Sequence, residues 1–398
     1  MKRQSQYRGQ NNRPKSHRRS KQQPNRRKQS SVNPDLLTQK ASEPVKQVTY
    51  EPTRSFDAMP LHRRLLENIE KKGFESPTEI QDRTLESLLD RRDLLGIAQT
   101  GTGKTGAFLI PIIDRLLREK QPFQTLVLVP TRELAVQVEE EFRSLVKGLN
   151  LHVSRFIGGT NINRDLQNLR RSSHLTVATP GRLLDLYQRR ALRLDVFEVL
   201  VLDEFDRMLD MGFARDVDRI VDAMTNRRHT MLFSATLDEA QRGKISRLLH
   251  QPVEVRVSNG QQTGQHIDQE IIKLAPGEDK FGRLKLLLDN PDFNKVLVFA
   301  ETKRWVSKVN KKLRQAGITS DEIHGNKSQN YRQKALNSFR AGRVQVLVAT
   351  DVAARGLDVT DVTHVINYQL PGSMDSYIHR IGRTGRAGNK GKALTFVQ

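Results

Sequence analysis

From about Phe56 onward the chain alternates short apolar runs with stretches whose apolar residues recur every three or four positions. Short continuous apolar runs read as strands buried on both faces, and the helical spacing reads as amphipathic cover. In the first half the strand candidates are DLLGIA (93–98), TLVLVP (125–130), LTVATP (175–180), VLVLDE (199–204) and TMLFSA (230–235). Each ends where a polar or glycine-containing segment begins. Around VSNGQQTGQH (257–266) the pattern lapses, which predicts an interdomain linker. A second series follows, with KVLVFAE (295–301), VQVLVATD (344–351), THVINYQL (363–370) and KALTFV (392–397). Strands alternating with helices predict an α/β protein of two tandem units, residues 51–256 and 267–398, each a mostly parallel sheet covered by helices. In such sheets functional groups collect at the carboxyl ends of the strands, so chemistry is sought there.

Residues 1–50 break this pattern. The first thirty residues carry eleven Lys and Arg and no Asp or Glu, half of the formal net charge of +22. A segment with so little to bury does not offset its ordering entropy, so 1–50 is expected to be a disordered basic tail. Clustered cations release counterions from polyphosphate backbones and bind them without sequence preference, which favours a nucleic-acid-binding arm over the alternative of a merely solubilising tail. The absence of cysteine excludes disulfides and thiolate metal sites and fits a reducing compartment. The apolar runs fall far short of the roughly 18 residues of a membrane helix, and the basic N-terminus lacks an apolar leader core. A cytoplasmic protein without membrane contact, its core monomeric, is the expectation.

The stretch AQTGTGKT (98–105) follows a strand and precedes an apolar helix. Gly101 and Gly103 let the backbone curl so that successive N–H groups point at phosphate oxygens, with Gln99, Thr100 and Thr102 completing the loop. Lys104 supplies a charge for the outer phosphates of ATP, and Thr105 offers a hydroxyl to Mg²⁺. The strict phosphate-loop pattern opens with glycine where this chain has Ala98, so the strand and helix context favours the nucleotide reading over a simple glycine-rich turn. DEFD (203–206) then reads as the second half of the site. Asp203 is the expected Mg²⁺ residue, and Glu204 is placed to orient and polarise the attacking water.

Taken together, these motifs and those that follow them in order resemble the DEAD-box RNA helicases, ATP-dependent enzymes built from two RecA-like domains. The resemblance covers about Phe56 to Val397. GFESPTEIQ (73–81), preceded by Phe56, looks like the Q motif of the family. A glutamine carboxamide suits the donor and acceptor edge of adenine, so Gln81 is expected to select ATP, and the resemblance implies that Phe56 stacks on the base. PTRELAVQ (130–137), GG (158–159) and TPGR (179–182) look like RNA-contacting motifs, which implies RNA contacts from Arg132, Gly159, Thr179 and Arg182. The resemblance also implies that Ser234 and Thr236 of SAT hydrogen-bond toward Asp206, coupling ATP to strand separation.

FAETKRW (299–305) resembles motif IV, and the segment SQNYRQKALNSFR (328–340) resembles the adjacent RNA-binding element. ATDVAARGLDV (349–359) looks like motif V, which implies that Thr350 and Gly356 lie near RNA and Asp351 near the ATP ribose. In YQLP (368–371), Gln369 stands where the family usually has an acid. HRIGRTGR (379–386) places Arg380, Arg383 and Arg386 every three residues, which on a helical turn puts them on one face. Guanidinium groups at a cleft suit phosphate contacts, and the resemblance implies that Arg383 and Arg386 are arginine fingers and that His379 links the domains. An RNA-stimulated ATPase that unwinds or remodels RNA is therefore expected. Two other readings stay open. One is an ATP-binding RNA clamp that hydrolyses slowly, suggested by the bulky Phe205; the other is a phosphate-loop ATPase acting on duplex DNA or a protein complex.

Overall fold

A computed structural model of the 398-residue chain describes residues 32–40, 50–99, 101–119, 123–237, 239–257, 267–354, 361–385 and 391–397. The first sheet has seven strands: β1 (Leu94–Ala98), β2 (Gln124–Leu128), β3 (Val153–Phe156), β4 (Leu175–Ala178), β5 (Phe197–Leu202), β6 (His229–Ser234) and β7 (Val253–Val257). Their spatial order is β3-β4-β2-β5-β6-β1-β7, and every neighbouring pair is parallel. The second sheet has six: β8 (Ile267–Lys273), β9 (Val296–Phe299), β10 (Ser320–Ile323), β11 (Val346–Ala349), β12 (His364–Asn367) and β13 (Gly391–Val397). They lie in the order β10-β11-β9-β12-β13-β8, again all parallel.

Alternate residues of each strand point to opposite faces, and helices cover both. Leu94, Val127, Val199 and Met231 join one buried layer of the first sheet, while Leu95, Leu128, Leu200 and Leu232 join the other. The second sheet repeats the arrangement, with Leu297, Leu347 and Val365 on one face and Val298, Val348 and Ile366 on the other. Each such side chain contributes roughly 1.5–3 kcal/mol on burial. Two-sided burial is why these strands read as unbroken apolar runs. Among the described residues, no helix is long and apolar enough to cross a membrane.

The nine interior strands all coincide with predicted runs, and the four strands the apolar pattern missed, β3, β7, β8 and β10, are the four sheet edges. VSRF, VEVRV, IDQEIIK and SDEI mix charged with apolar residues because an edge strand is only partly covered. Val257, expected to open the linker, is the buried last residue of β7; residues 258–266 of that linker lie outside the described residues. The expected disorder of the tail is corrected at residues 32–40. Pro34–Leu37 form a 3₁₀ turn, Val32 and Leu37 are buried in the core of the second sheet, and Gln39 pairs antiparallel with Gln269 of β8. The apolar residues of VNPDLL supply enough burial to order this short piece. Residues 1–31 of the tail lie outside the described residues.

Phe205, at the start of the helix Phe205–Asp210, is 1 % exposed and belongs to the same buried layer as Leu202, Met208 and Ile220. The neighbours thus accommodate the ring, and Phe205→Ala leaves a hole in a formed core. Chemical denaturation of that variant is expected to show a loss of about 3–5 kcal/mol in first-domain stability. A change below about 1 kcal/mol, the range of a mild volume-conserving swap, contradicts this packing. In the second domain His364 stacks on Phe293 at 3.7 Å between ring centroids. Burial, aided by Lys392, pushes the imidazole pKa down to about 4. A group held neutral in the fold stabilises it above its unfolded pKa and withdraws that stability as pH falls from about 6.5 toward 4. The melting temperature of His364→Phe is therefore expected to fall less over this window than that of the native chain; parallel curves contradict the assignment.

Candidate active site

Three adjacent strands of the first sheet, β5, β6 and β1, carry DEFD, SAT and the glycine-rich loop at their carboxyl ends. Beyond β1 the backbone enters the left-handed region at Gly101 (φ 88°) and Gly103 (φ 94°) before the helix Lys104–Arg118 begins. A Cβ on Gly103 would lie 2.5 Å from Thr78 Oγ1, and one on Gly106 would lie 2.5 Å from Gln81 Nε2. The loop is therefore packed directly on the Q-motif residues. Gln81, predicted to read adenine, donates from Nε2 to the Gly103 carbonyl at 3.0 Å and accepts from Thr78 N–H at 3.0 Å. Its carboxamide thus buttresses the phosphate loop. Lys104 is buried and donates to the Ala98 carbonyl at 2.8 Å, and Thr102 Oγ1 donates to the Gln99 carbonyl at 2.8 Å. Thr105 is half-buried on the first turn of the helix, and Thr100 lies outside the described residues. Phe56 is 4 % exposed within the core of the first domain, which leaves little of its ring for a base to stack on.

Asp203 is 2 % exposed and accepts the Glu204 N–H at 2.9 Å. Burial pushes its carboxyl pKa up to about 6 against the opposing pull of Lys104, with the Glu204 charge adding to the rise. A buried carboxylate beside a glycine-rich loop suits Mg²⁺, which takes one or two protein carboxylates and completes its shell with phosphate and water. Among the described residues, no group of three or more His, Asp or Glu able to hold a metal occurs. Glu204 sits at the left-handed φ 54°, ψ 51°, a conformation that costs a non-glycine residue energy and that functional sites tolerate. Its carboxylate accepts from Arg207 Nη1 at 2.7 Å, and both side chains are almost wholly buried. Asp206 accepts from Ala235 N–H at 3.2 Å, Thr236 N–H at 3.1 Å and Thr236 Oγ1 at 3.1 Å. Thr236 therefore meets Asp206 as the resemblance implied, whereas Ser234 instead donates to the Thr236 carbonyl at 2.7 Å and shapes the turn.

The other half of the same sheet edge, at β3, β4 and β2, gathers the motifs expected to meet RNA. Arg132 lies across the glycine pair: a Cβ on Gly159 (φ +75°) would fall 2.3 Å from Arg132 Nη1. Thr179 Oγ1 accepts from Gly158 N–H at 3.4 Å. Arg182 donates to the Thr160 carbonyl at 2.9 Å and is paired with Asp165, so its guanidinium braces the turn. Burial lowers the pKa of Arg132, and the nearby Arg332 and Arg182 lower it further while Glu133 opposes them.

Glu133 was not singled out by the sequence, yet it joins the two sheets. Its carboxylate lies 2.9 Å from Arg332 Nη2, and Gln329 Nε2 donates to it at 3.3 Å. The ion pair is close but poorly aligned, leaving Glu133 Oε2 and Arg332 Nε without hydrogen bonds though buried. The signal was present: Gln329 and Arg332 lie in the segment expected to adjoin RNA, one turn apart on the helix Gln329–Arg340.

In the second domain Arg380 and Arg383, the described members of the expected arginine face, do not lie on one helix. The helix Met374–Ile381 ends before Arg383, and Arg380 points inward, 2 % exposed. Arg380 forks onto Asp351, with Nη2 donating to Oδ2 at 2.8 Å, and its Nη1 reaches the Gln369 carbonyl at 2.8 Å and Asn367 Oδ1 at 3.2 Å. Asp351, expected at the ribose, is thus engaged by Arg380. Arg383 is buried in the turn after the helix, its Nε donating to the His379 carbonyl at 3.2 Å, and His379 lines a small cavity with Phe299, Asp351 and Ser376. Gln369 keeps a role without the charge: its Oε1 accepts from Glu301 N–H at 2.8 Å. Thr350 is half-buried at the start of the helix Asp351–Ala354, while Gly356 and Arg386 lie outside the described residues.

Comparison with known proteins agrees with this geometry. Residues 78–243 match the DEAD/DEAH box helicase family, and residues 279–388 match the helicase conserved C-terminal domain. An ATP-dependent RNA helicase CshA of Listeria monocytogenes is 43 % identical over 343 residues, 86 % of this chain and 66 % of the relative. One from Limosilactobacillus reuteri is 41 % identical over 342 residues, covering 86 % of this chain and 69 % of the relative. The chain thus spans slightly under two thirds of the length of the Listeria relative. Among solved structures, S. cerevisiae Dbp5 bound to RNA and ADP BeF3 superposes with a TM-score of 0.76 at 32 % identity, covering 86 % of this chain and 89 % of that one. Mss116p bound to ssRNA and AMP-PNP gives 0.75 at 29 % identity, covering 85 % and 72 %. With its two RecA-like sheets and its motifs in order along them, this chain belongs to the DEAD-box helicase family.

Proposed function

We propose that this protein is an RNA-stimulated ATPase that converts ATP and water to ADP and phosphate and uses the cycle to unwind or remodel RNA. The observation that carries the reading is the division of one sheet edge, with the nucleotide motifs at β5-β6-β1, the phosphate-gripping motifs at β3-β4-β2, and the second domain joined to the latter through Glu133 and Arg332. The CshA relatives are named as ATP-dependent RNA helicases, which agrees.

In this reading the loop Gln99–Thr105 cradles the phosphates, and Lys104 exchanges the Ala98 carbonyl for a phosphate oxygen. Asp203 and Thr105 would hold Mg²⁺, which supplies charge neutralisation at the phosphate oxygens. Glu204, fixed by Arg207, orients and polarises the attacking water. Gln81 keeps the loop in shape and presents its remaining N–H toward the nucleotide, and Phe56 supports the same wall from the core. RNA is gripped through its backbone by Arg132, Gly159, Thr179 and Arg182 on one side and by Thr350 and Gly356 on the other, so little base preference is expected. Closure brings Arg383, Arg386 and His379 to the nucleotide, and Asp206 with Thr236 and Ser234 relays that state along the sheet edge. The clamp alternative leaned on Phe205, but its ring is taken up by the core while all three acids keep their contacts.

Steady-state ATPase with no nucleic acid, with RNA and with DNA, for the native chain and Glu204→Gln, tests the proposal. RNA should stimulate hydrolysis well beyond DNA, and Glu204→Gln should lower the stimulated rate by roughly 10²- to 10⁴-fold. Equal stimulation by DNA, or RNA stimulation untouched by the substitution, contradicts it.

A further inference from the structure

The residues just before the first domain are anchored on the second. Leu37 is fully buried and Val32 is 5 % exposed, both in the core formed by β8, β9, β11 and the helix Met374–Ile381. Gln39 and Gln269 exchange both backbone hydrogen bonds, at 3.1 and 2.7 Å, adding an antiparallel partner to the exposed edge of β8. The contact continues inward. Gln269 Nε2 donates to Gln39 Oε1 at 3.2 Å, and Gln269 Oε1 accepts from the buried Tyr377 hydroxyl at 2.9 Å. Tyr377 lies on the helix that carries His379 and Arg380.

Ten residues further on, the chain is anchored on the other domain. Tyr50 Oη donates to Asp82 at 2.6 Å, and Thr53 N–H and Oγ1 donate to the same carboxylate at 2.7 and 2.9 Å. Asp82 is the neighbour of Gln81 on the helix Glu79–Leu89. One anchor thus stands beside the Q motif and the other beside the arginine-bearing helix, the two elements that flank the nucleotide from opposite domains. The strap residues 32–40, and Tyr50 and Thr53, lie outside the stretches, 78–243 and 279–388, that match the family's two domains.

We propose that residues 32–40 are a strap: continuous in the chain with the first domain and docked noncovalently on the second, they make a second connection between the domains. The first connection runs from Val257 to Ile267, also ten residues. Ten extended residues reach about 33–36 Å at most, so each tether alone permits wide separation, whereas two tethers at different points restrict rotation as well as distance. The strap thereby raises the effective concentration of one half of the nucleotide site at the other, and RNA has less ordering to impose when the domains close.

Because the chain has no cysteine, a pair introduced at the exposed Asn150 and Lys311 reports interdomain distance by dye labelling without competing thiols. Four proteins are compared: the full chain, the chain lacking residues 1–31, Leu37→Asp, and the chain with a protease site placed within 41–49, before and after cutting. Without ligand, the full chain and the deletion should give the same distance distribution. Leu37→Asp and the cut chain should give longer and broader ones, and should need on the order of tenfold more RNA to reach half-closure in ATP. If cutting leaves distances and RNA requirement unchanged, the strap is only a packing element of the second domain and the tether is refuted, whether or not Leu37→Asp opens the molecule. The ligand-free distances decide this independently of hydrolysis, so absence of RNA-driven closure in every version, the full chain included, counts against the proposed function and not against the strap.

Discussion

Every paired strand within each sheet is parallel, and this one constraint determines where the chemistry sits. A parallel sheet needs a crossover after each strand, so all carboxyl ends meet on one edge and all the loops that follow them are neighbours. Residues far apart in sequence, Lys104, Asp203 and Thr236, thereby come to one sheet edge, where hydrogen bonds from Ala235 and Thr236 to Asp206 tie two of the segments together. The strand order then divides the edge. Placing β5 beside β6 and β1 collects DEFD, SAT and the glycine-rich loop, and placing β2 beside β4 and β3 collects Arg132, Thr179 and Arg182. β2 and β5 are themselves paired, so the two sites share a backbone ladder, and Asp203 N–H donates directly to the Leu128 carbonyl at 3.0 Å.

Charge burial is the cost of such a site, and the structure meets it by pairing. Glu204 with Arg207 and Asp351 with Arg380 are ion pairs whose arginine is nearly inaccessible to water. Removing one member of a buried pair leaves an uncompensated charge, which typically costs about 3–5 kcal/mol. These pairs fix the conformation around the reacting groups. The left-handed backbone of Glu204 belongs with them: the Asp203 carboxylate accepts its N–H, and Arg207 holds its side chain.

What the sequence revealed and what it concealed divide along physical lines. Interior strands such as VLVL and TLVL are buried on both faces and announce themselves, whereas SDEI and VSRF at the edges follow the composition of a surface. The phosphate loop and the acids were legible because their chemistry requires particular residues at fixed spacing. Partners chosen by tertiary packing were not. Arg380 shares its three-residue spacing with Arg383 but turns into the core to hold Asp351, and the helix stops at Ile381, before Arg383. Gln81 is occupied by Gly103, a contact that exists only once the Glu79–Leu89 helix packs on the loop. The ordering of residues 32–40 escaped notice because three or four apolar residues in a basic tail carry no periodicity, and their burial depends on a sheet formed more than 200 residues later.

Glu133 is a first-domain carboxylate set among arginines from both domains. If its contact with Arg332 is what joins RNA binding to closure, the two residues act as one unit. A double-substitution cycle with Glu133→Gln and Arg332→Gln, reading RNA-stimulated ATPase alongside nucleotide affinity without RNA, measures this directly. Each single change is predicted to lower the stimulated rate about tenfold, the double to be no worse than the poorer single, and nucleotide affinity to hold. Additive losses, or singles that stimulate normally, would contradict the account.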